Sequence, residues 1–303
     1  MRNVAVVVLT YNEEMHLARA LESVAPFAKE VFVIDSGSTD QTIAIAKARG
    51  ARVLYNPFVS QAKQFQWGLD NAPITAEWVM RLDADEIIEP DLAAEIEEKL
   101  PKLASDVTGI NLKRKHIFLG RWVRHGGRYP LLLLRIWRHG LGRVEDRWMD
   151  EHILVTKGRT IAFDGGFADW NLNDMSYFTA KHNRYATREA VEIINQRRNL
   201  FLHSENAMTG KNSTQALLKR CIKERIYNHI PFPISATGYF LLRYIFQLGF
   251  LDGVEGLSYH FLQGYWYRFL VGVKVLEFER AIAPFKSVDE QRAALARVSG
   301  LDL

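Results

Sequence analysis

One cysteine, Cys221, occurs in 303 residues, so an internal disulfide is excluded and no thiolate cluster is available for zinc. A reducing compartment suits such a chain. The aromatic-rich stretches of the last third are broken by Arg243, Asp252, Glu255 and Arg268, which makes them poor candidates for spanning helices of about 20 apolar residues. The opening "MRNVAVVVLTYNEE" has one basic residue and a short apolar run, without the length or cleavage site of a secretory signal. It is expected to be a first strand, and the protein to be cytoplasmic. Neither a Walker lysine loop nor a Gly-x-Gly-x-x-Gly turn follows that strand. Internal repeats and low-complexity segments are missing as well.

What is present is a globular composition, 48% hydrophobic and 24% charged, long enough for one large domain or a domain of about 200 residues with an appendage. The net charge of +4 hides an asymmetry. Residues 1–100 hold 9 Lys and Arg against 16 Asp and Glu, whereas the remainder is basic. An acidic half that handles a cation and a basic half that meets an anionic partner would produce this pattern; so would a solvated surface.

Short, β-branched, continuously apolar runs at "VAVVVLT" (4–10) and "EVFVID" (30–35) predict strands covered on both faces. Between them Met15, Leu17, Leu21 and Val24 recur at helical spacing, with Asn12 as the expected cap. "QTIAIAKARG" predicts a helix closed by Gly50, "ARVLY" a third strand, "EWVMRLD" (77–83) a fourth, and "EPDLAAEIEEKL" a surface helix with Pro90 in its first turn. Alternation of this kind implies βαβ units and a mainly parallel sheet, whose ligands bind beyond the carboxyl ends of the strands. Three polar loops, "LTYNE", "DSGSTD" and "DADE", fall at those ends.

Asp83 and Asp85 suit a hard divalent ion, Mg²⁺ or Mn²⁺, one carboxylate facing a nucleotide and the other the metal; Asp85 and Glu86 could instead cap the next helix. Tyr11 could stack on a base or simply pack, and Asp35 could accept hydrogen bonds from a ribose. Asp40 could be a helix cap. "KRKHIFLGRWVRHGGRYP" (113–130) crowds cations with aromatics and glycines, as a loop over an anionic acceptor would, although a solvated basic loop fits nearly as well. No nucleic-acid motif accompanies it. His182, in an apparent helix, is expected to be structural.

The ordered set "LTYNEE", "VIDSGSTDQT" and "MRLDADE" resembles the nucleotide-binding half of family 2 glycosyltransferases, which have the GT-A fold. That resemblance covers roughly residues 1–165 and implies an inverting, metal-dependent transfer of a hexose from a nucleotide-sugar. Tyr11, Asp35 and Asp83 would hold the base and ribose, Asp85 the metal, with Thr10 and Glu13 nearby. A general base is also implied; "VEDR" (145–146) and "MDEH" (150–151) both offer acidic pairs, and Glu151, beside Asp150, matches better. Residues 1–168 would form the catalytic domain, with a nucleotide half to residue 100 and an acceptor half from 101. Residues 169–303 would form a helical region.

The tail is similar to that of lipopolysaccharide-core β-1,4-glucosyltransferases. UDP-glucose as donor, a glycolipid acceptor and the cytoplasmic face of the inner membrane are therefore implied. Amphipathic helices lying in the headgroup region, with aromatic belts and basic flanks drawn to anionic lipid, would serve that attachment, and so would a subdomain packed on the core. A sugar-phosphate nucleotidyltransferase and a silent glycan-binding protein are the rivals.

Overall fold

β1 (Val4–Thr10) is written almost wholly in apolar residues because both of its faces are covered. Side chains alternate across a strand, so Val4, Val6 and Val8 enter one core while Ala5 and Val7 enter another. The first core includes Leu17, Leu21 and Phe163, and the second includes Phe65 and Trp137. This is the double coverage that a parallel α/β sheet requires.

The computed structural model describes residues 3–145, 152–201 and 230–303. It divides into two units, Met1–Leu172 and Asn173–Leu303. In the first, β1 is followed by α1 (Leu17–Val24), β2 (Ala28–Asp35), α2 (Thr42–Ala48), β3 (Arg52–Tyr55), α3 (Gln61–Asn71) and β4 (Trp78–Asp83). Then come β5 (Glu86–Ile88), α4 (Pro90–Lys99), β6 (Val107–Phe118), β7 (Arg121–Val123), β8 (Leu131–Arg138), β9 (Gly142–Val144), β10 (Ile153–Val155) and β11 (Arg159–Trp170). The large sheet runs β3-β2-β1-β4-β8-β6-β11-β5, with β7 paired to β6; β9 and β10 form a separate ribbon. β3, β2, β1 and β4 are parallel. From β8 onward the sheet is mixed, since β8 is antiparallel to both β4 and β6 while β6 and β11 are parallel. The fold is α/β, with the expected parallel strands and alternating helices in its first half.

Two local expectations fail for one reason. Asn12 does not cap α1: it sits at φ 55°, a left-handed conformation that asparagine tolerates, and its Oδ1 accepts from Thr39 N at 2.9 Å. The chain is thereby led across the loop after β2, so α1 begins only at Leu17, with His16 before it and no side-chain cap. Met15 falls in the crossing segment and is exposed rather than buried. Glu86 caps no helix either; it opens β5, and α4 starts after Glu89.

The second unit is helical. α5 (Met175–Arg198) is capped by Asp174, whose carboxylate accepts from Tyr177 N at 2.8 Å. After the undescribed residues come α6 (Phe232–Leu241), α7 (Gly253–Tyr259), α8 (Tyr267–Ile282) and α9 (Val288–Ser299). Ala186, Ala190 and Ile194 of α5 pack on Val271, Val275 and Phe278 of α8. His182 is structural, its Nδ1 2.8 Å from Phe178 O one turn back. No helix among the described residues is long and apolar enough to cross a membrane. Arg243 and Asp252, two of the charged residues that interrupt the aromatic-rich stretches, are buried.

Candidate active site

The carboxyl ends of three strands meet in register: Thr10 lies beside Asp35, and Leu9 beside Asp83. Parallel pairing of β1 with β2 and β4 brings together loops that are distant in sequence.

Asp35 is buried, and its carboxylate organises the loop that follows it. Oδ1 accepts from the backbone of Gly37 (2.9 Å) and Ser38 (2.8 Å), and Oδ2 from the hydroxyls of Thr10 (2.9 Å) and Ser38 (2.5 Å). Gly37 takes φ 102°, which a side chain would resist, and the loop turns there. The neighbouring loops are laced together, Asn12 N donating to Ser38 Oγ and Gln41 N to Glu14 Oε2. Asp40 accepts from Thr42 N at 2.9 Å. Tyr11 projects from this framework, 61% exposed.

Glu13 and His16 tie the first loop to the end of β11. His16 Nε2 accepts from Leu172 N at 2.9 Å, which leaves the proton on Nδ1 to be donated to Glu13 Oε2 at 2.7 Å. Glu13 is therefore a positioning residue for a histidine that the sequence did not single out.

Asp83 sits in a charged network. Its Oδ1 is 3.3 Å from Arg81 Nε, and its Oδ2 3.2 Å from Arg135 Nη2. Arg135 also reaches Glu86 Oε1 at 2.5 Å, while Glu86 Oε2 accepts from Asp83 N at 2.9 Å. Burial raises the Asp83 carboxyl, but Arg81 and Arg135 outweigh it and hold the group below the usual carboxylate range. Glu86 goes the other way: burial, reinforced by Asp83, pushes it above the glutamate range against the pull of Arg135. Arg81 was legible in principle, since residues two apart on a strand share a face. Arg135 was visible only as one cation inside "PLLLLRIW".

Asp85 is half-buried beyond the end of β4. Its Oδ2 accepts from Asn171 Nδ2 at 3.0 Å, and its carbonyl from Trp170 N at 3.0 Å. Arg19, whose guanidinium donates to Trp170 O, faces the same carboxylate; burial lowers Arg19, and the charge of Asp85 opposes that. Among the described residues no three His, Cys, Asp or Glu side chains gather as a metal cage. One hard oxygen donor held by an amide fits Mg²⁺ or Mn²⁺ in the other common arrangement, where one or two carboxylates share the ion with substrate phosphates and water.

Asp150 and Glu151 lie outside the described residues, as does Asp146 of the alternative pair. Glu145, the described member of that pair, is 3.6 Å from His152 Nδ1. In the basic stretch, Lys113, Arg114 and Lys115 are engaged internally, by Asp164, Asp169 and Glu89. The exposed cations there are Arg121 and Arg124.

The sequence profile described as "Glycosyl transferase family 2" matches residues 5–164. An uncharacterised glycosyltransferase of Rickettsia typhi is 37% identical over 97 residues, which is 32% of this chain and 32% of that protein. The match thus spans about a third of the length of such relatives. The lipopolysaccharide core biosynthesis glycosyltransferase LpsC of Rhizobium meliloti is 28% identical over 196 residues, 62% of this chain and 70% of that one. Among solved structures, glucosyl-3-phosphoglycerate synthase from Mycobacterium tuberculosis, in complex with Mn²⁺, uridine diphosphate and glucosyl-3-phosphoglycerate, is 25% identical. It covers 38% of this chain and 44% of that one at a TM-score of 0.32, an overlap too small to add to the fold described above.

Proposed function

The chain belongs to glycosyl transferase family 2, and from that premise we propose that it transfers a hexose with inversion from a nucleotide-sugar to a lipopolysaccharide-core or related glycolipid at the cytoplasmic face of the inner membrane. The observation that carries the site is the convergence of Thr10, Asp35 and Asp83 at one sheet rim, with Asp85 just beyond.

Tyr11 offers an exposed ring for the base, and Asp35 fixes the loop against which base and ribose rest. Asp83, kept ionised by two guanidiniums, presents an acceptor to the nucleoside. Asp85 would hold Mg²⁺ or Mn²⁺, which when bound neutralises charge on the diphosphate leaving group. Glu151, or Asp150 beside it, would take the proton from the acceptor hydroxyl as that oxygen bonds to the anomeric carbon. The bond from that carbon to the phosphate oxygen breaks, and the nucleoside diphosphate departs. An acceptor from the lipopolysaccharide core is supported by the name of the Rhizobium relative and by the resemblance of the tail. UDP-glucose is the donor that resemblance favours.

The test is a thermal-shift screen of nucleotide-sugars with and without Mn²⁺. A donor at about a hundred times its Kd should add about 2.7 kcal/mol to the native state, and only with the metal present. Equal stabilisation with and without Mn²⁺ would count against Asp85 as the metal ligand. If no nucleotide-sugar stabilises the protein, the donor assignment fails.

Asn171 supplies a finer check. Because its amide orients Asp85, Asn171→Ala is expected to raise the Mn²⁺ concentration for half-maximal transfer about tenfold, with turnover at saturating metal little changed. An unaltered metal requirement would leave Asn171 with a packing role only.

A further inference from the structure

The last third of the chain contains a helical hairpin with polarity reversed at its tip. α6 continues through a wider turn at Leu242–Phe246 and runs antiparallel to the segment leading into α8. Phe232 meets Phe269 (5.1 Å between centroids), Phe240 meets Tyr265 (6.4 Å), and Tyr244 meets His260 (6.3 Å). The chain reverses between them. From Leu241 to Phe261, eleven residues are exposed; ten are large hydrophobics and the eleventh is Gln247. Phe246 is 76% exposed and Val254 73%.

Charge has gone inside. Arg243, Asp252 and His260 are 2%, 3% and 0% exposed, and only Glu255, half-buried, brings a charged group near the surface of this segment. Arg243 donates to Gln263 Oε1 at 3.2 Å and lies over the rings of Tyr239 and Tyr259. The tip backbone is internally bonded, with Gln247 N to Leu242 O (2.9 Å), Leu248 N to Ile245 O (3.1 Å) and Leu251 N to Leu248 O (3.0 Å). Packing is tight: a Cβ on Gly256 would fall 2.5 Å from Asp252 Cβ. Away from the tip come the half-buried Tyr239, Tyr265 and Trp266, then Arg268 and Lys274.

We infer that this tip is a wedge that enters one leaflet of a lipid bilayer. A protein partner would meet a rim of hydrogen-bonding groups, about one bond per 100–200 Å², and this cap offers a single exposed polar side chain. Hydrocarbon demands the opposite: backbone groups satisfied internally, apolar side chains outward, aromatic residues at the boundary and cations on the headgroup side. The order along the hairpin is that order. Fifteen residues from Phe232 to Phe246 reach about 20 Å, short of the roughly 30 Å hydrocarbon core, so the hairpin enters without crossing. This differs from a flat amphipathic helix, because the charges are enclosed by the wedge and do not lie along its outer face.

The wedge deepens the membrane acceptor proposed above, and its test needs neither sugar nor nucleotide. The full chain is floated with phosphatidylcholine vesicles lacking glycolipid. Wild-type protein should float, and should still do so at about 1 M salt, where the screening length is near 3 Å. The triple variant Phe246→Glu, Leu251→Glu, Val254→Glu should lose at least about a hundredfold in partitioning while melting at the wild-type temperature. Should the triple variant not fold, Phe246→Glu alone carries the comparison. Wild-type protein that stays at the bottom of the gradient, or a folded variant that floats equally well, overturns the wedge. So does a lipid-free dimer abolished by the same substitutions, since a second copy would then cover the tip. Failure here leaves the donor screen untouched, so the two results are separable.

Discussion

Asp85→Ala is expected to lower sugar transfer about a thousandfold, the rate equivalent of about 4 kcal/mol, while the protein melts near the wild-type temperature. The carboxylate is half-buried beyond the strand end, not in either core, so its removal opens no apolar cavity. Its loss removes one partner from the Asn171 amide, which is close enough to the surface to be hydrated. The expected loss is therefore catalytic. Steady-state transfer assays over a Mn²⁺ titration should show a rate that added metal does not restore, and chelation of the wild type should give a similar floor. Near-normal turnover by Asp85→Ala would refute the assigned metal role. In that case the acidic cluster would have to be explained by the arginines beneath it.

Arg135→Leu is expected to cost about 3–5 kcal/mol of folding stability, because it strips a buried cation from two carboxylates at once. Asp83 would keep only Arg81, and Glu86, already pushed up by burial, would lose the cation that opposes that rise. Urea unfolding measures the loss. Arg135→Leu combined with Glu86→Leu should recover part of it, since replacing a buried pair costs less than orphaning one member. Activity discriminates further: Asp83 held by one guanidinium instead of two should raise KM for the donor more than it lowers kcat. A variant as stable as wild type would mean that the network is solvated and adds nothing. An unchanged KM in a destabilised variant would confine Arg135 to structure.

The strands β1, β2 and β4 were legible because doubly covered parallel strands must be continuously apolar, and that requirement is local. The rim was legible for a related reason: a strand that must end at a ligand ends in polar residues, as at Thr10, Asp35 and Asp83. The start of α1 was misread because an asparagine before an apolar rhythm looks like a cap. Only the contact between Asn12 and Thr39, 27 positions apart, turns the chain away. Arg135, Asn171 and His16 were missed because their partners lie 52, 86 and 156 positions off.

The inside-out tip could not be read from the sequence either. Arg243 and Asp252 interrupt an apolar run identically whether they point out or in, and the antiparallel return of the chain decides which. By itself, then, the sequence determined the alternation of strands and helices, the acidic rim and the family, all of which depend on residue type and short-range spacing. Tertiary structure decided which cation neutralises which carboxylate and which face of the hairpin is bare, because pairing across a sheet or a hairpin joins residues that no local period connects.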